Sequence, residues 1–220
     1  MSYFKQLWKK DIIPKEPVVI TPSQPRPRNP LSPGAKGVDI SHHNESVDIS
    51  VLEKNVDFIY MKATEGINFV SSTYKRRAKQ IKIPWGAYHY YRVKHDPVRQ
   101  AEHFLKYIDV KSGLPPVLDI EAINNNYKDK HTADILLFLK TIEKETGLTP
   151  MIYTSYYYAR DVIKPSEEFK RYPLWLAWYT YSFDKVKCPE PWDNIKVWQC
   201  SEAARVEGVR GDVDYNKVMS

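Results

Sequence analysis

Two carboxylates with one residue between them end an apolar segment of the chain. The segment reads "PPVLDIE" over residues 115–121 and ends in Asp119 and Glu121. A β-strand sends residues i and i+2 to the same face, so both carboxylates point the same way. Burying a charge is unfavourable unless the charge is paired or used. The pair therefore indicates acid–base chemistry, in which one carboxyl group donates a proton beside a second carboxylate.

Further acids and aromatic residues fall within or just after other strand-like segments. The acids are Asp39 in "GVDIS", Glu65 in "KATEG", and Asp212 and Asp214 in "GDVDYN". Carboxylates surrounded by flat aromatic rings suit cleavage of a glycosidic bond, because an acid protonates the leaving oxygen while rings stack on the sugars. The aromatic candidates are Tyr88, His89, Tyr90, Tyr91, Tyr153, Trp175, Trp178 and Trp198.

Strand-like and helical segments alternate over most of the chain and must position these residues. The strand-like segments are rich in Val, Ile, Tyr and Trp. They cover residues 37–41, 57–64, 85–91, 115–121, 150–155, 173–179, 195–200 and 211–216. Helices are predicted at 49–55, 72–82, 96–108, 132–147 and 156–163, after which the links become loops. Repeated strand–helix units favour a parallel sheet. Because a full TIM barrel needs about 250 residues, we expect an α/β fold with a trimmed TIM-like barrel.

The carboxyl ends of the strands form the mouth of such a barrel and carry its chemistry. We therefore expect Asp39, Asp119, Glu121 and one aspartate of "GDVDYN" to meet there. The expected substrate-binding residues are Tyr90 and Trp178, followed by Tyr153, His89 and Glu65. For His89 a hydrogen bond within the mouth is an alternative role, and for Glu65 a turn cap before Gly66.

The ordered motifs resemble one known family. "GVDISHHN", "YMKATEG", "GAYHYY", "PPVLDIE", "MIYTS", "LWLAWY", "VWQCSE" and "VDYN" resemble the glycoside hydrolase family 25 lysozymes, from residue 37 to about 218. The resemblance implies a (β/α)5(β)3 barrel that cleaves the β-1,4 bond between N-acetylmuramic acid and N-acetylglucosamine in peptidoglycan. It implies Glu121 as general acid, Asp119 as its partner, and Asp39 and Asp214 as further catalytic carboxylates. "GDVDYN" offers two aspartates where the family pattern needs one.

The role of Asp119 stays open at the level of sequence. Two residues of strand rise separate it from Glu121 by about 6.6 Å. A separation near 5 Å favours a nucleophile, and about 6.5–9.5 Å favours a base that activates water. A third route uses the substrate's own 2-acetamido group, which Asp119 would orient. We favour direct attack or the acetamido route, both of which retain configuration. The like charge of Asp119 is expected to raise the pKa of Glu121.

Two other functions remain as alternatives. A chitinase-like N-acetylhexosaminidase usually shows the run D-x-x-D-x-D-x-E, but the position four residues before Glu121 is Val117. A non-catalytic glycan-binding module is expected to lose the acid, which is present. The lysozyme interpretation is therefore preferred.

The N-terminal segment differs in composition from the rest. Residues 1–36 carry seven Lys or Arg against two acids, which is +5 of the total net charge of +6, and residues 13–36 hold seven of the 16 prolines. We expect a basic, extended arm over 1–36 and a catalytic barrel over 37–220. The arm suits an anionic surface or structural partner. We expect no nucleic-acid binding, because the body is nearly neutral.

Other features of the sequence bear on the compartment, the cysteines and the possible ligands. The start of the chain lacks an apolar run typical of a secretory signal, so we expect a protein made in a cytoplasm that later acts on the cell wall, like a phage endolysin. Cys188 and Cys200 are expected to be free thiols. His42 and His43 point to opposite faces and have no spaced third ligand, so no metal site is expected. We expect no cofactor, a monomer, and bacterial peptidoglycan as the partner.

Overall fold

The computed structural model describes residues 29–44, 46–121, 131–163, 165–180 and 182–220. The predicted arm lies mostly outside the described residues, up to residue 28. None of the described helices is long and apolar enough to cross a membrane.

Within the described residues, eight strands close a barrel and one short additional strand pairs beside it. The strands are β1 (Lys36–Ile40), β2 (Phe58–Glu65), β3 (Phe69–Val70), β4 (Trp85–Tyr90), β5 (Val117–Asp119), β6 (Met151–Ser155), β7 (Leu174–Ala177), β8 (Val197–Ala204) and β9 (Val213–Val218). Around the barrel the strand order is β1-β9-β8-β7-β6-β5-β4-β2, β1 pairs with β2 to close it, and the short β3 pairs with β2. The trimmed TIM-like barrel predicted from the sequence is confirmed.

One barrel strand departs from the expected parallel arrangement. β9 pairs antiparallel with both β1 and β8, whereas the other barrel pairs are parallel. Residues 205–212 connect β8 to β9 without a helix, since antiparallel neighbours need no crossover helix. Because β9 runs in reverse, its first residues rather than its last lie at the mouth of the barrel.

The helices lie outside the barrel and follow the early strands. Asp48 caps the first of them by accepting hydrogen bonds from Ser50 N and Val51 N, and Asp96 followed by Pro97 starts the third. The helices are α1 (Ile49–Leu52), α2 (Tyr74–Ala78), α3 (Pro97–Leu105), α4 (His131–Thr146) and α5 (Tyr156–Asp161), with 3₁₀ turns at Glu167–Arg171 and Phe183–Lys185.

Alternation along the strands divides the core into two clusters. Tyr60, Val117 and Trp175 belong to a cluster that fills the barrel interior. The residues between them on the same strands, such as Ile59 and Leu118, pack outward against the helices. The interior is tight enough that a Cβ atom on Gly86 would collide with the Tyr60 ring. The described interior of the barrel is therefore a packed core.

The folded body begins earlier than the predicted boundary at residue 37. Ala35 is buried, and Gly34 N donates to Val218 O at 2.9 Å. Lys36 N donates to the carboxylate of Asp57 at 2.9 Å. Residues 34–36 therefore belong to the barrel base, because they complete hydrogen bonds to distant strands that local composition does not reveal.

The two cysteines are separate free thiols. Cys188 Sγ donates to Trp192 O, whereas Cys200 Sγ donates to Tyr215 O. Both side chains thus serve as small, partly buried packing groups.

Candidate active site

An open cleft of about 530 Å³ lies at the mouth of the barrel. Its floor and walls come from the carboxyl ends of the parallel strands and from the start of the reversed β9. Five carboxyl groups and four aromatic rings share this space. The lining residues are Asp39, Tyr88, Val117, Asp119, Glu121, Tyr153, Trp175, Tyr179, Glu202 and Asp214.

Asp119 and Glu121 lie on the same side of the cleft but differ in exposure. Asp119 is 6% exposed, whereas Glu121 is exposed at the rim. In the sheet register Asp119 lies between Tyr90 on one side and Tyr153 on the other. Burial, and then the charge of Glu121, hold the pKa of Asp119 well above its usual range. The pair therefore binds a proton at a pH where an isolated aspartate is ionised.

One oxygen of Asp119 has no partner in the described part of the chain. Its Oδ1 atom is buried and meets no hydrogen-bond donor among those residues. A buried carboxylate oxygen without a donor is unfavourable. This atom is consequently a ready acceptor for a donor that a ligand brings into the cleft.

Asp39 and Asp214 lie directly opposite each other on β1 and β9. Like charges at facing positions of an antiparallel pair are destabilising, so packing alone does not explain this arrangement. The neighbouring Asp212 is exposed and pairs with Arg205 at 3.1 Å. Of the two aspartates in "GDVDYN", only Asp214 lines the cleft.

Asp39 is buried like Asp119 but is well supplied with donors. Its Oδ2 atom accepts from Gln199 Nε2 at 2.9 Å and from Asn216 Nδ2 at 2.8 Å. Burial raises the pKa of Asp39 to about 6, and these two hydrogen bonds oppose the increase. Asp39 therefore changes charge in the mildly acidic range.

Aromatic residues form part of the wall of the cleft, beside the carboxylates. The hydroxyl of Tyr153 donates to Gln199 Oε1 at 2.9 Å, and that of Tyr179 donates to the same atom at 2.9 Å. The ring of Trp175 packs edge-on against Tyr153, with centroids 5.2 Å apart. Rings held in fixed positions provide flat apolar surfaces on which sugars stack.

Glu65 and Tyr90 lie beside the cleft, within a cluster of charges and rings at its rim. Glu65 binds Lys62 Nζ at 2.6 Å and Arg92 Nε at 2.7 Å. Burial acts to raise the pKa of Glu65, but the hydrogen bonds from the two cations outweigh it and lower the pKa. The same cations contact the Tyr90 ring, whose centroid is 4.4 Å from Lys62 Nζ and 4.8 Å from the Arg92 guanidinium carbon. The turn cap considered for Glu65 is replaced by ion pairing.

Three comparisons with known proteins agree with this geometry. Residues 38–209 match the family model described as glycosyl hydrolases family 25. The chain belongs to this family. It is 31% identical to an autolytic lysozyme from Clostridium acetobutylicum over 83% of this chain and 55% of that protein. The crystal structure of a bacterial lysozyme from Streptomyces coelicolor has a TM-score of 0.77 at 28% identity, covering 85% of this chain and 93% of that one. A family 25 lysozyme from Aspergillus fumigatus has a TM-score of 0.74 at 27% identity, with coverages of 84% and 94%.

His89 does not reach the cleft of this family 25 barrel, so its expected role in substrate binding is wrong. It is fully buried on the outward face of β4. Its ring bonds Thr64 Oγ1 at 2.8 Å and Gln100 Oε1 at 3.3 Å and packs against Phe104 of α3. Burial lowers its pKa to about 3, so the ring is neutral. Alternation decides the outcome, because Tyr88 and Tyr90 take the inward positions.

Trp178 likewise lies outside the lining of the cleft. Its ring packs against Tyr156 and Tyr157, with centroids 4.6 and 6.2 Å apart. The inward position of this segment is taken instead by Tyr179. Trp175, Ala177 and Tyr179 are spaced by two, so counting from the fully buried Trp175 identifies Tyr179 rather than Trp178. Contact between Trp178 and a sugar stays a prediction only for a site beyond the cleft.

Sequence reasoning also missed three polar residues of the family 25 site. Glu202 lines the cleft, while Gln199 and Asn216 bind Asp39 from beneath. All three occur in motifs quoted for the resemblance, "VWQCSE" and "VDYN". Period two from Val197 places Gln199 on the inward face, and period two from Asp214 does the same for Asn216. Glu202 lies three residues after Gln199, where the register of β8 shifts, so alternation alone does not identify it. Among the described residues no group of three His, Cys, Asp or Glu is arranged to hold a metal ion.

Proposed function

We propose that this family 25 glycoside hydrolase is a lysozyme that hydrolyses the β-1,4 bond between N-acetylmuramic acid and N-acetylglucosamine in bacterial peptidoglycan, with Glu121 as the general acid. The observation that carries the proposal is the open cleft in which Asp39, Asp119, Glu121 and Asp214 converge beside aromatic rings. Such a set can protonate a leaving oxygen and stabilise a positively charged sugar ring. The lysozyme names of several relatives support the same substrate.

The first step transfers a proton from Glu121 to the glycosidic oxygen as the bond to C1 breaks. Glu121 is exposed at the rim, where a bound sugar chain can reach it. Asp119 carries a buried oxygen that lacks a donor among the described residues. The N–H of the substrate's 2-acetamido group supplies such a donor, which supports the route in which the acetamide oxygen attacks C1.

The second step restores the sugar. Water adds to C1 from the face that the leaving group vacated, the bond to the acetamide oxygen breaks, and Glu121 takes up the water's proton. Two inversions retain the configuration at C1. Direct attack by Asp119 gives the same stereochemical result and remains the second possibility for its role.

The remaining carboxylates and rings serve binding in this proposal. Asp39 and Asp214 lie side by side on the paired strands β1 and β9 and accept hydroxyl or amide hydrogens of the sugar. Tyr153 supplies a stacking surface. Tyr90 and Glu65 at the rim extend the binding surface only if the glycan chain passes that side.

Digestion of purified walls tests the main proposal. Wild-type protein is expected to release fragments with new reducing ends on N-acetylmuramic acid, and Glu121→Gln to lose at least 100-fold in rate. Glu102→Gln on α3 removes an exposed glutamate away from the cleft and serves as the matched control. Intact glycan with wild-type protein, or equal release by Glu121→Gln, overturns the proposal.

The alternatives are distinguished by substrate. A chitinase-like enzyme cleaves chitin oligosaccharides as fast as wall glycan, whereas we expect no cleavage of chitin at matched protein concentration. A glycan-binding module binds walls without releasing fragments. Either result replaces the lysozyme proposal.

The basic arm and the site of action form a separate proposal. We propose that the arm contacts an anionic surface and that the protein is a monomer made in a cytoplasm, acting on the wall once the membrane is breached. Deleting residues 1–28 is expected to leave hydrolysis of soluble wall fragments unchanged while weakening sedimentation with intact walls at low salt. Expression in a bacterium is expected to cause lysis only when a membrane-permeabilising protein is co-expressed. Lysis without it, or a dimer mass by light scattering, contradicts this proposal.

A further inference from the structure

A hydrogen-bonded network of uncharged side chains lies beneath the carboxylates of the cleft. Gln199 is 1% exposed and Asn216 is fully buried. Both donate to the same oxygen, Oδ2 of Asp39, from 2.9 and 2.8 Å. These contacts join β8 and β9 to β1, which are far apart in the sequence.

Second partners fix the orientation of each amide. Asn216 Oδ1 accepts from the indole nitrogen of Trp175 at 2.8 Å, and an indole N–H can only donate. Gln199 Oε1 accepts from the hydroxyls of Tyr153 and Tyr179, both at 2.9 Å. With their oxygens engaged in this way, both amides must present N–H groups to Asp39.

Two N–H donors on one oxygen decide where Asp39 can carry a proton. An oxygen that faces two donors cannot also carry a hydrogen directed at them, so Oδ2 stays an acceptor. Any proton on Asp39 therefore resides on Oδ1, the oxygen that the two amides do not engage. The plane of the carboxyl group is fixed at the same time, because two donors from different strands hold one end of it.

We propose that Gln199 and Asn216 are positioning residues for hydrolysis, which orient the Asp39 carboxyl group so that Oδ1 faces the substrate as an acceptor. The inference rests on the proposed function, since it assigns Asp39 to the substrate. Gln199 also connects Asp39 to Tyr153 and Tyr179, two residues of the cleft wall. A sugar stacked on that wall shields the network from water and strengthens its hydrogen bonds.

Several titratable groups face Asp39 and set the background for a pH test. They lie on β5, β4, β6, β8 and β9 and on the segments after β5 and β7, and their charges act on one another across the cleft. The substitutions described below change none of these groups, so a difference from wild type reports the new carboxyl group beneath Asp39 and its effect on Asp39. The groups are Asp119, Glu121, Tyr88, Tyr153, Glu202, Asp214 and Tyr179.

Asn216→Asp tests the proposal with almost no change of shape. One carboxylate oxygen still accepts from Trp175, but the other now faces Asp39 Oδ2 without a donor. Two carboxylates at hydrogen-bond distance share one proton, so Asp39 loses its role as a free acceptor. The acidic limb of the kcat/KM profile on soluble wall fragments is expected to move up by at least one pH unit, and kcat to fall at least tenfold with a smaller change in KM.

Gln199→Glu is the second variant and gives the same expected shift if Asn216→Asp fails to fold. The matched control is Gln100→Glu, which places a carboxylate at another fully buried glutamine, one that binds backbone groups of Arg92 and His95 in the helix layer. It is expected to lower stability without moving the acidic limb.

The outcomes separate the two proposals. If wild-type protein cleaves no wall fragment, the proposed function fails. If wild type is active and the folded variants keep the wild-type pH profile, or if Gln100→Glu shifts it equally, the positioning role is overturned. The carbon-13 shift of the Asp39 carboxyl group, followed by NMR, gives a readout independent of turnover and should show a raised pKa in both variants.

Discussion

The β1 side and the β5 side of the cleft each bury one aspartate, yet they surround it differently. Asp39 is 8% exposed and Asp119 is 6% exposed, so burial alone treats them alike. Asp39 receives two amide donors on one oxygen, whereas Oδ1 of Asp119 meets no donor in the described part of the chain. The pKa of Asp39 rises to about 6, while that of Asp119 is held well above its usual range.

The difference is that the protein itself donates hydrogen bonds to Asp39, whereas Oδ1 of Asp119 is left as an open acceptor among the described residues. On the β1 side the fold supplies the hydrogen bonds that a buried carboxylate needs. On the β5 side no described residue donates to Asp119 Oδ1 and Glu121 lies nearby, so this oxygen is open to a donor from the ligand. An unfavourable arrangement such as a buried oxygen without a donor persists only where the surrounding structure enforces it, and such arrangements are typical of functional sites.

Removing the charge on the β5 side is expected to have the largest effect on activity. Asp119→Asn keeps the shape of the side chain but replaces the carboxyl group by a neutral amide, so we expect kcat to fall by at least about 100-fold. Stability is expected to stay level or rise, because a buried carboxyl group that is costly to ionise is removed. Rates on soluble wall fragments and urea unfolding measure the two effects. A variant that loses stability but keeps its rate would show that Asp119 is a structural residue.

The two aspartates of "GDVDYN" provide the next test. Asp214→Asn removes a charge that faces the cleft opposite Asp39, and we expect kcat/KM to fall about tenfold or more, the loss of one charged hydrogen bond. Asp212→Asn, with its exposed ion pair to Arg205, is expected to be within twofold of wild type. Equal losses at the two positions would contradict the assignment of Asp214 to the cleft.

Replacing each buried aspartate by alanine compares how much the β1 side and the β5 side contribute to the free energy of unfolding. Asp39→Ala leaves the buried amides of Gln199 and Asn216 without an acceptor, so we expect the free energy of unfolding to fall by about 2–3 kcal/mol. Asp119→Ala leaves no donor of the described residues unpaired at the position of Oδ1, so we expect a smaller loss in the free energy of unfolding. Urea denaturation of both variants decides this, and the reverse order would show that the network contributes little to stability.

The smallest expected effect is on the pH dependence of stability. Because the pKa of Asp39 is about 6 in the folded protein and 3.8 as its ordinary value, the folded state binds more protons between these values. Stability therefore falls as the pH rises from about 4 to about 6. Asp39→Asn is expected to flatten this decline, which melting temperatures across that range will measure. An unchanged slope would mean that Asp39 does not titrate there.

Much of the fold follows from local patterns. The eight barrel strands were predictable because apolar β-branched and aromatic runs alternate with capped helices, as at Asp48 and Asp96. The prominence of Asp119 and Glu121 followed from a spacing of two at the end of an apolar strand. These features depend on neighbours in sequence, so a single chain displays them.

The sequence was less informative where the face of a strand or a distant partner decides the position of a residue. His89 occupies the outward phase of β4 and packs against α3, and Trp178, just after β7, packs against Tyr156 outside the lining of the cleft. The boundary at residue 37 was too late, because Ala35 and Lys36 are secured by Val218 and Asp57. The type of a residue suggests a role, but the register of the sheet decides whether its side chain reaches the cleft.

The sequence by itself determined the type of barrel, the family and the pair of carboxylates at the end of β5, because periodicity and ordered motifs are written along the chain. Only the tertiary structure decided how each carboxylate is held. Asp39 meets Gln199 and Asn216 across separations of 160 and 177 residues, and β9 reaches the mouth only by running in reverse. Hydrogen bonds and burial act through space, so the closed barrel, rather than any local segment, sets the charge and orientation of the groups in the cleft.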